Sequence, residues 1–283
     1  MVDHVNRNLQ LLQAFGDGPL FVRQEGDEFE VDGIQFRCDY AHGSRADRFY
    51  IVKQVPHVRQ YVDLCQRFEG GVIVELGIAE GGSAALAALV ARPSKLVAVD
   101  LEPKRLAALD EFIAERDLKD QVRAHYGVDQ ADREQLGSLV DAELDGEPID
   151  LLFDDASHQL EPTRSSFETL FPRVRPGGVY VIEDWNAEHI WRHGVVRSIQ
   201  EMSPAERAEA FAGQAKGPQP TEQPRPLSDL VMQLVMLQAI PVDVIASVSI
   251  NPFDVRVERG PATLDADSFR LDDIVTDYFG YLS

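Results

Sequence analysis

Residues 151–185 read LLFDDASHQLEPTRSSFETLFPRVRPGGVYVIEDW. Two short apolar runs, Ile149–Phe153 and Val179–Ile182, each end in acid: Asp154 and Asp155 after the first, Glu183 and Asp184 after the second. Runs this short, separated by a helix-length segment, have the signature of neighbouring strands buried on both faces of a parallel sheet. In an open α/β sheet, ligands gather outside the carboxyl ends of the strands. Four carboxylates, with His158 three residues beyond Asp155, therefore form a candidate site.

Working outward, the same alternation recurs. Strands are expected at Val72–Leu76, Lys95–Asp100, Val122–Tyr126, Asp150–Phe153 and Val179–Ile182. Helices are expected between them at Ala84–Ala91, Pro103–Asp117, Arg133–Leu144 and Glu161–Arg173. Each step is a βα unit, which predicts an α/β fold with a doubly wound, mostly parallel, Rossmann-like sheet. A helix over Asp229–Ala239 follows, and VIASVSI and DVRVERG then predict a C-terminal antiparallel strand pair. Before the sheet, residues 1–16 have helical spacing of Val5, Leu9, Leu12 and Phe15. EFEV and IQFR flank Asp32-Gly33, a strong hairpin signal. Residues 41–50 read as a loop, and a helix starts at about Pro56 and closes at Gly70-Gly71. We take residues 1–53 as a cap or oligomerisation segment, which leaves a homo-oligomer open, and 54–283 as the catalytic-type domain. Residues 203–228 are rich in Pro, Gln and Ala and are expected to form a mobile lid or a surface loop.

Composition excludes more than it assigns. The 283 residues carry a formal net charge of −21. Such a surface repels phosphate backbones, so neither nucleic acid nor an anionic membrane is an expected partner. Cys38 and Cys65 fit no metal spacing and no disulfide framework. The first 15 residues lack the apolar core of a signal peptide, and Leu230–Ile250 is interrupted by Gln233, Gln238, Pro241 and Asp243. The expectation is a soluble, cytoplasmic protein.

The first strand runs into VIVELGIAEGGSAALAAL, with Gly77, Gly81 and Gly82 allowing a tight turn and close approach of a ligand. Asp100, 23 residues beyond Gly77, stands where an acid accepts hydrogen bonds from an adenosine ribose. A dinucleotide fingerprint would need glycine at 77, 79 and 82, but position 79 is alanine. Glu75 suits a cofactor with a cationic amino group and no pyrophosphate, which describes S-adenosylmethionine. Asp129 and Gln130 follow the third strand, where an adenine edge could be read. The alternative readings are a plain βα turn for the loop, and solvated or helix-capping acids at the strand ends.

ELGIAEGGS, Asp100, FDDASH and VRPGGVYVIEDW together resemble the class I S-adenosylmethionine-dependent methyltransferases. They most resemble the metal-dependent sugar O-methyltransferases of macrolide biosynthesis, of the mycinamicin and macrocin types. The resemblance covers about Val72 to Trp185. It implies that the loop, including Glu75, Gly77, Gly81 and Ser83, binds the methyl donor, with Asp154 nearer the cofactor. It implies that Asp155, Glu183 and Asp184 bind Mg²⁺ and that His158 is the base. Residues 1–53 lie outside the resemblance, and because those enzymes carry a larger N-terminal region, it implies nothing about assembly or sugar specificity.

The residues bear on this independently. Adjacent strands lie about 4.8 Å apart, so acids at neighbouring strand ends can reach one ion. Carboxylates without cysteine suit Mg²⁺, or Mn²⁺ as a substitute. Successive strand residues point to opposite faces, so Glu183 and Asp184 both ligate only if the strand stops at Ile182. The expected reaction is methyl transfer to one hydroxyl of a glycoside or polyol, with His158 taking the proton. A catechol-type acceptor, a nicotinamide-dependent oxidoreductase and a cofactor-binding protein without turnover remain alternatives. Trp185, Trp191, His189 and His193 follow the site and are candidates for sugar stacking or for ordinary packing.

Overall fold

The computed structural model of the chain describes residues 21–25, 27–206 and 225–275. The helix expected over residues 1–16, and positions 207–224 of the expected lid, lie outside the described residues.

The main sheet has seven strands, in the order β10-β11-β9-β8-β5-β6-β7. These are β5 (Val72–Leu76), β6 (Lys95–Asp100), β7 (Val122–Tyr126), β8 (Ile149–Asp154), β9 (Val174–Glu183), β10 (Ile245–Ile250) and β11 (Asp254–Arg259). Strands β5 to β9 run parallel, and β11 pairs antiparallel with both β9 and β10. The fold is thus the expected doubly wound sheet with a closing antiparallel pair. Period-2 alternation sorts its side chains. Ile73, Leu96, Ala98, Leu151, Phe153, Val179 and Val181 join one apolar cluster, and Val74, Leu76, Val97, Leu152, Tyr180 and Ile182 join the other. Both faces are covered by helices, which is why these strands are near-continuous apolar runs. Full burial of each large apolar side chain contributes about 2–3 kcal/mol.

The first face packs on α1 (Val55–Arg67), α2 (Gly82–Ala91) and α3 (Ala107–Glu115). The second packs on α4 (Arg133–Leu144), α5 (Leu160–Leu170) and α7 (Ser228–Ala239). Helix α6 (Ala187–Glu201) follows β9. Successive strands are added to one side of β5 (β6, β7) and then to the other (β8, β9), so the clefts beyond the carboxyl ends of β5 and β8 form the topological switch point.

Several boundaries differ from the sequence reading, among them that of α3, which starts at Ala107 rather than Pro103. Helix α5 ends at Leu170, and a 3₁₀ turn (Phe171–Arg173) replaces its expected last turn. Strand β9 begins five residues early, at Val174. Gly178 lets it lie against β8 there, because a Cβ at that position would stand 2.9 Å from the Asp150 carbonyl oxygen. Residues 48–50, the end of the expected loop, belong to a strand that runs through Ile51.

That strand, β4 (Arg48–Ile51), completes a second sheet of order β1-β2-β3-β4 with β1 (Phe21–Glu25), β2 (Glu28–Val31) and β3 (Ile34–Cys38). Strands β2 and β3 form the expected hairpin, with positive φ at Asp32 (49°) and Gly33 (80°). Strand β4 pairs parallel to β3 and points Phe49 and Ile51 inward. Phe29, Phe36 and Phe49 stack in series, and Phe49 meets Phe112 of α3 edge-on at 5.6 Å. The Arg116 guanidinium donates to the Asp32 carboxylate and carbonyl. The small sheet therefore shares the core of the large one, and it brings residues 50–53 beside the carboxyl end of β5.

Candidate active site

Strand β5 ends in a loop whose backbone only small residues tolerate. Gly77 has φ 97°, and a Cβ there would lie 2.3 Å from the Asp155 carbonyl oxygen. Gly82 lies equally tight under the small sheet, where a Cβ would lie 2.2 Å from the Tyr50 carbonyl oxygen. Ala79, where a dinucleotide fingerprint would place glycine, adopts φ 45° despite its side chain. Asp100 fixes this shape. Its Oδ2 accepts from Ile78 N (2.7 Å) and Ala79 N (3.1 Å), and its Oδ1 accepts from Glu102 N (2.8 Å). Three of about four acceptor positions on the carboxylate are thereby taken. Asp100 thus shapes the loop first and keeps fewer positions for a ligand than the two expected ribose bonds.

Glu75 lies at the base of the loop, 1% exposed, and its Oε2 has no hydrogen-bond partner. Burial pushes its pKa up to about 7, although Ser83 and Lys53 pull the other way. A buried carboxylate oxygen without a donor is costly, and a cationic ammonium is the partner that would satisfy it. Ser83 is half-buried at the start of α2, and its carbonyl accepts from Tyr61 OH at 3.0 Å. Gly77, Ser83 and Asp155 line a cleft of about 300 Å³ together with Tyr50–Lys53, Ile78–Glu80 and Gly82. Gly81 (φ 76°) is the N-cap of α2. Over the loop, Glu80 accepts from Gly43 N (2.9 Å) and Ser44 N (3.1 Å) and bonds His42 Nδ1 (2.8 Å), which ties the β3–β4 connection to it. This observed loop meets the requirements of S-adenosylmethionine through its tight glycines and its unsatisfied acid.

The acids divide between two jobs. Asp154 pairs with Leu76 and Ile182 in the sheet and points away from the clefts. Its carboxylate accepts from Ser166 Oγ (2.6 Å), Tyr180 OH (2.7 Å) and Gln130 Nε2 (3.2 Å). Gln130 Oε1 in turn accepts from Ser157 N at 2.9 Å. Expected as cofactor contacts, Asp154 and Gln130 instead form a buried network that anchors the loop after β8. Alternation along β8 turned Asp154 inward, and Gln130, in the turn beyond β7, meets it there. Asp129 stays exposed and caps its own turn by accepting from Ala131 N at 2.8 Å.

Asp155 follows the end of β8 and faces the other way. One ligand atom from each of Asp155, His158 and Asp184 lies within 4.8 Å of the others. Asp155 Oδ1 bonds His158 Nε2 at 3.0 Å. His158 (φ 54°) and Asp184 (φ 49°) are both left-handed non-glycine residues, a rare conformation that clusters at functional sites. Asp184 resolves the alternation problem differently from expected. Strand β9 continues through Glu183, which pairs with Asp254, and the left-handed turn at Asp184 then brings its carboxylate back toward Asp155. Glu183 is 1% exposed; its Oε2 meets Lys53 Nζ and, at 3.2 Å, His57 Nε2, while its Oε1 has no partner.

Lys53 and His57 were not singled out in the sequence. Lys53 Nζ donates to both Asp155 Oδ2 and Glu183 Oε2. Burial alone would lower the Lys53 pKa, but these two carboxylates raise it, so the side chain is an ammonium. Burial also opposes ionisation of Asp155, yet Lys53 and His158 hold its pKa below the usual carboxylate range. Glu183, buried and beside Asp155, is pushed up, as is Asp184 for the same two reasons. His57 is pulled down to about 4 by burial and by Lys53, and its neutral ring stacks on Phe253 at 5.2 Å. Burial disfavours the charged His158 ring, but Asp155 and Asp184 outweigh it and raise its pKa. A second cleft of about 300 Å³ is lined by Tyr40, Val52–Gln54, His57, Asp155, Glu183, Asp184 and Phe253. Lys53 and Asp155 line both clefts and so stand between them.

The residues fit a hard divalent cation. Carboxylate oxygens of Asp155 and Asp184 and a ring nitrogen of His158 converge within 4.8 Å, while Glu183, expected as a third acid ligand, stands outside that group and is joined to Asp155 through Lys53. The aromatic candidates are less engaged. Trp185 Nε1 donates to the Asn251 carbonyl (2.9 Å), His189 Nε2 bonds Ser228 Oγ (2.8 Å), and Trp191 and His193 are exposed on α6.

Residues 74–185, which carry this loop and the acidic strand ends, match the family model described as a methyltransferase domain. Parts of the chain are also similar to named O-methyltransferases. It is 49% identical over 57 residues to a demethylmacrocin O-methyltransferase of Streptomyces fradiae, covering 20% of this chain and 14% of that protein. It is 38% identical over 78 residues to a mycinamicin VI 2''-O-methyltransferase of Micromonospora griseorubida, covering 22% and 20%. The matched segment thus spans a fifth or less of those relatives. A mycinamycin-pathway methyltransferase solved with Mg, SAH and mycinamycin VI is similar at 23% identity and a TM-score of 0.48, covering 72% of this chain and 49% of that one. Among the described residues, no helix is long and apolar enough to cross a membrane.

Proposed function

We propose that the protein is a Mg²⁺-dependent O-methyltransferase whose acceptor is a sugar hydroxyl of a glycosylated small molecule. The observation that carries this reading is the convergence of Asp155, His158 and Asp184 one strand away from the glycine loop, with Asp155 lining both clefts. In this reading Glu75, Gly77, Gly81, Ser83 and Asp100 hold S-adenosylmethionine, whose sulfonium supplies the methyl group. Asp155, Glu183 and Asp184 hold the divalent ion, which supplies Lewis acidity that makes a bound hydroxyl more acidic.

The chain's own groups do the rest. The β5 loop fixes the donor on one side of Asp155, and the second cleft admits the acceptor on the other, so the two approach across a short, shielded gap. His158 directs Nε2 to Asp155, which leaves Nδ1 as the free lone pair that takes the hydroxyl proton. The pull of Asp155 and Asp184 raises its pKa, so the base form grows as pH rises. The buried network of Asp154, Gln130, Ser166 and Tyr180 keeps residues 155–158 in register. Glu75, with its unsatisfied buried oxygen, and Ala79 speak against a nicotinamide dinucleotide in this loop.

The test is transfer of isotopically labelled methyl from S-adenosylmethionine to a panel of deoxysugar glycosides and catechols, with Mg²⁺ and with EDTA. Mg²⁺-dependent labelling of glycosides supports the proposal. Labelling of catechols alone would replace its acceptor, and labelling that survives EDTA would remove its metal.

A further inference from the structure

Lysine is among the residues least often buried, and Lys53, with its side chain 4% exposed, is buried between two acids of the cluster. Its position is not incidental to the fold. The parallel pairing of β4 with β3 and the docking of Phe49 on α3 deliver residue 53 to the wall between the two clefts. From there the ammonium takes Asp155 Oδ2 and Glu183 Oε2 together, while His158 takes Asp155 Oδ1. Glu183 Oε1, in a side chain 1% exposed, is left without a partner. The two carboxylates that one ion would need are thus already bridged by one cation, and an acceptor oxygen beside them is unspent.

Resting on the metal reading above, we infer that Lys53 is a resident counter-ion that competes with the divalent cation for Asp155 and Glu183. In the metal-free protein its ammonium holds the two acids together against their mutual repulsion. An incoming divalent ion takes the same oxygens, and the ammonium gives them up. Lys53 therefore lowers the apparent affinity for metal, and it couples metal entry to a rearrangement at the point where donor and acceptor clefts meet. Two positive groups a few ångströms apart repel strongly even at a surface-like dielectric, so removing the lysine charge tightens metal binding by at least about tenfold.

The experiment is titration with Mn²⁺, read by the electron paramagnetic resonance of the free ion, on the full-length protein and on Lys53→Met and Lys53→Arg. Competition predicts at least about tenfold tighter Mn²⁺ binding by Lys53→Met, and an affinity close to the parent for Lys53→Arg, which keeps the charge. Because Lys53→Met leaves two buried acids without a counter-ion, thermal melts run alongside. The variant melts lower without Mn²⁺ and gains more in Tm from Mn²⁺ than the parent does. Equal or weaker Mn²⁺ binding by Lys53→Met, or an equal gain in Tm, overturns the competition and leaves the metal reading standing. Absence of Mn²⁺ binding from all three proteins overturns both.

Discussion

Glu75 offers a test in which stability and ligand binding move in opposite directions. Its carboxyl titrates at 4.5 when free and at about 7 in the fold, because burial disfavours the charged form. A group whose pKa is raised by folding binds its proton more tightly in the native state, so its favourable contribution is present below the unfolded pKa. That contribution disappears as pH rises through the folded value. Between about pH 4.5 and pH 7 the free protein loses about 3 kcal/mol through this one residue. Glu75→Gln removes the titration while keeping the shape. At pH 8 the variant is expected to be more stable than the parent by up to about 3 kcal/mol, and near pH 4.5 the difference shrinks toward zero. Its affinity for S-adenosylmethionine is expected to fall at least about tenfold, since a hydrogen bond to a charged group is worth about 1.5–3 kcal/mol. Urea denaturation at the two pH values and calorimetric titration of the cofactor measure both. A variant less stable than the parent at pH 8, or one that binds the cofactor as tightly, would refute the reasoning.

Three further perturbations reach other parts of the site. His158→Ala is expected to lower kcat by about 10²–10⁴-fold, and the parent's rate to climb with pH as the raised His158 pKa is passed; a pH–rate profile on a saturating acceptor checks both. Gly77→Ala puts a Cβ 2.3 Å from the Asp155 carbonyl oxygen, so a loss of cofactor binding together with at least about 1–2 kcal/mol of stability is expected in calorimetry and melts. Tyr180→Phe removes one of three donors to the buried Asp154; a loss of about 1–3 kcal/mol of stability is expected in urea denaturation, with the cofactor affinity little changed.

The centre of the sheet was legible because its strands are buried on both faces, so Val72–Leu76 and Leu96–Val99 stand out as apolar runs, and acid marks where two later runs stop. The Asp32-Gly33 hairpin was legible because only certain residues accept its two positive φ values. Strand β4 was not. It is four residues long, and its alternation is masked by Arg48 and Tyr50. Lys53 and His57 were missed for a related reason, since they reach Glu183 from 130 and 126 positions away and belong to no local pattern. The one available signal was a lysine directly after the apolar run FYIV. Asp154 and Gln130 show the opposite error. Residue type suggested a ligand contact, but the pleat of β8 sends Asp154 to the face opposite Asp155, and Gln130 follows it into the core. Asp184 shows how a backbone conformation can override alternation, because φ 49° returns its carboxylate to the side where Asp155 lies.

In the proposed site, one side of Asp155 holds the methyl donor and the other holds a metal-bound hydroxyl, an arrangement open to direct observation. It is tested most directly by a crystal structure of the protein with S-adenosylhomocysteine, Mn²⁺ and a deoxysugar glycoside, using the anomalous signal to place the ion. The ion is expected on Asp155, Glu183 and Asp184, the homocysteine ammonium on Glu75, and the acceptor hydroxyl facing the sulfur. An ion bound elsewhere, or a homocysteine ammonium that leaves Glu75 untouched, would contradict it.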